Sequence, residues 1–148
     1  MATMWDPSTR QHFQDRVDRL TPSVTPNWGK MNPAGMLAHL NDSFRMATGE
    51  LSVKGKWLPF RYPPFRQFVV YTMPIPKGAP TAPELIARCG TAEFEPERHA
   101  FHAWMERLGH ITSDSQLVSH PAFGNLSHKE YGVLMARHAD HHLRQFGV

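Results

Sequence analysis

A chain of 148 residues, 41% of them hydrophobic and 20% charged, has the length of one domain and enough apolar material for one core, which excludes a disordered chain. Its sixteen basic and thirteen acidic residues leave a formal charge of +3, scattered rather than striped, so a nucleic-acid partner is not expected. The lone cysteine, Cys89, excludes an intrachain disulfide and fits a reducing cytoplasm.

In chain order, a first helix is expected over residues 7 to about 20, with Asp6 as its cap and Pro7 at the tolerated first position. Phe13, Val17 and Leu20 give it one apolar face. Residues 21–30 hold Pro22 and Pro26 and read as a loop. A second helix starts clearly: Asn32 caps it, Pro33 opens it, and Met36, Leu37, Leu40, Phe44 and Ala47 lead to a stop at Gly49.

Residues 51–90 carry seven of the thirteen prolines, so no long element spans them. Phe65, Phe68, Val69 and Thr72 fit a short helix; the run Phe68-Val69-Val70-Tyr71 also suits a strand, but nothing nearby reads as a pairing strand. Residues 73–83 read as an extended strap, followed by a turn of helix near residues 83–87. A further helix is expected from Pro96 to about Gly109, where Phe101, Trp104, Met105, Leu108 and Ile111 form one stripe. The last helix opens with a capping box of Ser127 and Glu130 and runs to about Phe146. Four substantial helices and no convincing sheet predict an all-α four-helix bundle, one domain over residues 1–148, with a proline-rich insertion after the second helix.

Ten histidines raise the question of where each one points. At about 100° per residue, Tyr131, Leu134 and Met135 define the buried face of the last helix, and His138 and His142 fall within roughly 20° of its centre. Arg137, Asp140 and Arg144 take the exposed side. Two imidazoles one turn apart on one buried face are half of a metal site. The alternative is a pair of core histidines satisfied by carboxylates or backbone groups. His39, beside the apolar stripe of the second helix, faces a seam from which a metal in the bundle interior is within reach. Asp42 offers a base or a supporting group, although a solvated carboxylate is the ordinary state for such a residue. Gln145 either orients a ligand or merely ends the helix. His99 and His102 lie opposite their apolar stripe and read as solvated, His120 braces the turn before Pro121, and His12, His110 and His128 have no constellation around them.

The combination resembles the DinB/YfiT-like superfamily of small metal-binding four-helix bundles. That pattern places one histidine on the second helix and H-x3-H near the end of the last, which here are His39, His138 and His142. More narrowly, the strings Trp28-Gly29-Lys30-Met31, Met36-Leu37-Ala38-His39-Leu40, His120-Pro121-Ala122-Phe123-Gly124 and His141-His142-Leu143-Arg144-Gln145-Phe146-Gly147 look like a DinB-type subfamily of unknown function. One departure is Leu143, where the superfamily motif has arginine directly after the final histidine. The resemblance implies a divalent ion, zinc or nickel, on the three histidines, and an enzyme of thiol S-transfer or hydrolysis. Its implied substrate is a small molecule, including a low-molecular-weight thiol such as bacillithiol or mycothiol.

The rival expectation is a non-catalytic binding or stress-associated bundle whose histidines are structural or vestigial. Residues 1–10 hold Trp5, Asp6 and Pro7 where a secretory signal needs an apolar run, and no stretch reaches membrane-spanning length, so a cytoplasmic protein without membrane attachment is expected. Four tryptophans and several methionines are compatible with an apolar face that pairs two copies as a homodimer.

Overall fold

Asn32 sets the start of the helix that carries His39. Its side-chain oxygen accepts from the Gly35 N–H at 2.7 Å, and Pro33 occupies the first position, where no backbone donor is needed. That helix closes at Gly49, whose φ of +85° is the left-handed conformation that ends a helix without steric cost. The computed structural model describes residues 1–148 and contains five α-helices and no strand. They are α1 (Pro7–Asp18), α2 (Pro33–Ala47), α3 (Phe65–Tyr71), α4 (Phe94–Leu108) and α5 (His128–Gln145), with single 3-10 turns at Pro59–Arg61 and Pro83–Leu85.

Four long helices close a ring of contacts: α1 packs on α4 and α5, and α2 packs on the same two from the other side. The short α3 lies against α5, and the Pro83–Leu85 turn lies against α2. One apolar core fills the ring, including Phe13 and Val17 from α1, Leu37, Leu40 and Phe44 from α2, Phe101 and Leu108 from α4, and Tyr131 and Leu143 from α5. The Phe44 ring sits 6.0 Å from those of both Phe101 and Trp104, in tilted arrangements favoured by aromatic pairs. No helix is long and apolar enough to cross a membrane. Trp57, Tyr62, Phe65 and Phe68 are exposed on the proline-rich segment and α3.

The predicted elements are present, with three corrections. Helix α4 begins at Phe94 rather than Pro96, because a proline in the first turn removes a backbone donor that has no intrahelical partner anyway. Asp6 stands at the cap of α1 but makes no side-chain cap bond; the segment before the helix is held by Arg10, which donates to the Met4 and Trp5 carbonyls at 3.0 and 2.7 Å. The expected open side of α5 is partly covered. Asp140 takes the buried Arg16 of α1 at 2.7 Å, and Arg137 donates to the carbonyls of Val69, Val70 and Met73, tying down the end of α3. The arginines at 137 and 144 and the carboxylate between them therefore act as ties, of which only Arg144 stays exposed.

Candidate metal centre

Helix α2 presents His39 to the seam with α5, and α5 presents His138 and His142 one turn apart. The three rings meet. Their centroids are 4.9, 4.8 and 4.8 Å apart in the three pairings, with near-perpendicular planes. The Nε2 atoms of His39 and His142 lie 3.0 and 3.1 Å from the Nε2 of His138. His39 and His142 are buried, and His138 keeps a partly open edge.

The other ring nitrogens decide the protonation pattern. His39 Nδ1 faces the Leu85 carbonyl oxygen at 2.9 Å, and a carbonyl oxygen only accepts, so the ring carries its proton on Nδ1. Gln145 Nε2 donates to the Trp28 carbonyl at 2.8 Å, which turns its Oε1 toward His142 Nδ1 at 2.9 Å. His142 is therefore also an Nδ1–H tautomer. Both Nε2 atoms are left as bare lone pairs directed at His138, whose own Nε2 holds at most one proton. One of the two short contacts then sets lone pair against lone pair, an arrangement a cation resolves and a protein donor does not. The three nitrogens could hold a metal ion, and two of them have the oriented partners that fix imidazole ligands in metal sites.

Burial keeps these rings neutral, the form that binds metal. It holds His142 down to about 4, helped by the neighbouring His39 and opposed by Gln145. Burial likewise lowers His39, against the Leu85 carbonyl and the Asp42 charge, and it takes His138 well below its ordinary value together with the two flanking imidazoles.

Gly29 shows how closely the site is supported. Its φ is +78°, and a Cβ there would lie 2.7 Å from Gln145 Nε2. Gly29→Ala is expected to cost about 1–2 kcal/mol through the left-handed backbone and to displace the Gln145 amide that holds His142. A urea titration reads the first effect, and a changed His142 ring-nitrogen NMR signal reads the second.

The structure brings together all three predicted histidines and sets Gln145, the last residue of α5, against the His142 ring. His120 braces its turn as expected: Nδ1 accepts from the Ala122 and Phe123 N–H groups at 3.1 and 3.2 Å, and burial with the nearby Arg61 holds the ring at about 4. His99 is exposed. Two readings need correction. Asp42 is not solvated; it is 1% exposed, and its charge is met by Arg45 at 2.9 Å and by Arg88, from the segment packed on α2, at 3.0 Å. His102 is no free surface ring: it joins α4 to α1 through Asp18 at 2.9 Å and Gln14 at 3.1 Å. His128 also has company, stacked on Trp5 with 4.5 Å between centroids. A surface groove lined by His12, Arg16, Arg137 and Asp140 contains none of the three clustered histidines.

A family model, DUF1569, described as a protein of unknown function, matches residues 9–147. The chain belongs to the DUF1569 family. No curated protein and no solved structure matches it. The match covers every group of the DUF1569 chain that bears on the centre, from Trp28 through Gln145. Sequence reasoning missed two groups within this DUF1569 domain, the backbone carbonyls of Leu85 and Trp28. A carbonyl in an irregular segment carries no side-chain signature, so neither group was visible in the sequence.

Proposed function

We propose that this protein is a divalent-metal-dependent enzyme of DinB-like type, using His39, His138 and His142 as its ligands and acting as a thiol S-transferase or a hydrolase on a small molecule. The observation that carries the reading is the pair of contacts from His39 Nδ1 to the Leu85 oxygen and from His142 Nδ1 to Gln145 Oε1, which call for Nδ1–H rings and leave both Nε2 lone pairs facing His138 Nε2. Zinc and nickel suit three nitrogen donors, and three ligands leave a position open for substrate, as in catalytic rather than structural zinc sites. When bound, such an ion supplies a Lewis acid that lowers the pKa of a water or thiol taken up at that position.

The surrounding charges support an anionic substrate group. All three donors are neutral, so the charge of a divalent ion stays uncompensated. Asp42 and Asp140 are each already met by two arginines, Arg45 with Arg88 and Arg16 with Arg144. Lys77 stands over the Trp28 ring at 4.5 Å, and its charge reaches His141. A thiolate or carboxylate fits that field. Cys89 is not the nucleophile: its thiol donates to the Gly35 carbonyl at 3.3 Å, and burial pushes its pKa up. A cytoplasmic setting, where low-molecular-weight thiols are abundant and reduced, suits both that lone thiol and the proposed chemistry.

Elemental analysis of untagged protein tests the reading directly. One equivalent of zinc or nickel per chain is expected, together with turnover that requires a thiol for transfer and only water for hydrolysis. A metal-free protein that takes up none of these ions at neutral pH returns the molecule to the non-catalytic bundle.

A further inference from the structure

The proline-rich segment reaches the metal centre through one atom, the Leu85 carbonyl oxygen that receives the His39 Nδ1 proton. The turn that carries this oxygen lies against α2, and the residues just beyond it tie the chain to α2 and α4 through side-chain ion pairs. Three residues on, Arg88 spans two buried carboxylates from different helices. Its Nε and Nη2 donate to Asp42 of α2 at 3.1 and 3.0 Å, and its Nη1 and Nη2 donate to Glu97 of α4. Glu97 is held in turn by Asn41 Nδ2 at 2.9 Å. Cys89 then packs against α2 so closely that a Cβ on Gly35 would come within 2.7 Å of its carbonyl oxygen.

We propose that Arg88 is a positioning residue for the metal centre, fixing the Leu85 carbonyl, and through it the Nδ1–H tautomer of His39. Asp42 lies three residues after His39 on α2, so the same helix carries the ligand and one anchor of the segment that orients it. A planar guanidinium bonded to two carboxylates allows little rotation of the chain between residues 85 and 88, whereas a lysine would meet the same charges through one freely turning ammonium. Without the fork, the His39 ring has no fixed acceptor at Nδ1. Its proton then distributes between both nitrogens, and the part of the population with Nε2–H cannot bind metal.

The test uses the full chain with nitrogen-15-labelled histidine. Ring-nitrogen NMR of the metal-free protein is expected to show His39 and His142 as pure Nδ1–H tautomers. In Arg88→Lys, which keeps the charge, His39 becomes a tautomer mixture while His142, held by Gln145, is unchanged, and zinc affinity falls about 10- to 100-fold. Glu97→Gln, which removes one of the two carboxylate anchors, shifts His39 in the same direction and carries the test should Arg88→Lys fail to fold. A merely structural role lowers the melting temperature yet leaves the His39 tautomer alone; that result, with zinc affinity unchanged, overturns the proposal. The affinity arm rests on the metal reading above, but the tautomer arm does not. If wild-type protein binds no zinc, the metal reading fails while the ring-nitrogen spectrum still judges Arg88.

Discussion

On the proposed reading, zinc is expected to raise the melting temperature of the wild-type protein, and replacing His138 and His142 together by alanine is expected to abolish that rise. A ligand that binds only the folded state contributes about 2.7 kcal/mol at a concentration one hundred times its Kd. For a chain of this length that is a rise of roughly 5–10 °C in melting temperature, and the double variant is expected to show none of it. Without metal the two proteins should lie much closer. The variant loses ring packing at two sites, a cost of about 1–3 kcal/mol, but it also removes the opposed lone pairs of the Nε2 cluster, which offsets part of that loss. Thermal melts with and without zinc separate the two contributions. An equal rise in both proteins would place the ion elsewhere, on a surface histidine such as His99. Gln145→Ala is the intermediate case: all three donors remain, His142 loses its orienting acceptor, and part of the stabilisation survives.

The fold was legible because its helices announce their ends. Asn32 with Pro33, and Ser127 with Glu130, satisfy backbone donors locally, so their positions follow from chemistry a few residues wide. The inward turn of His138 and His142 followed from helical periodicity for the same reason. Asp42 was not legible, because its burial depends on Arg88, 46 residues away in an irregular segment. Asp140 and Arg16 are 124 residues apart and pair for reasons of tertiary packing that no local pattern records. Leu85 is the sharpest case. The group it contributes is a main-chain oxygen that every residue possesses, and only the path of the chain makes it part of the site. Periodicity thus placed the rings, whereas the groups that orient them came from loops, where sequence constrains position least.

Acid should destabilise the metal-free protein well before its carboxylates titrate. His120 and His142 are each held at about 4 in the folded state, against an ordinary value of 6.5, and His39 and His138 are lowered as well. The unfolded chain therefore binds protons that the folded chain refuses as pH falls from about 6.5 toward 4. With that sign, stability is level above neutrality and declines on acidification through that window. His120 and His142 account for about 2 kcal/mol each between pH 7.5 and pH 5, and about 3 kcal/mol each once pH 4 is reached. Against a total of about 5–15 kcal/mol, that is a large share, and for a stability near the lower end it brings the unfolding transition to about pH 4–5. Urea titrations at pH 7.5 and 5.0 should differ by about 4 kcal/mol from these two rings alone. His120→Gln should remove roughly half of the difference, whatever it costs at neutral pH. Zinc should move the decline to lower pH, because an imidazole held by a cation cannot accept a proton until the cation leaves. A stability that stays flat from pH 7.5 to 5.0 would mean that these rings are solvated or already charged, and neither state is compatible with three neutral donors gathered in the interior.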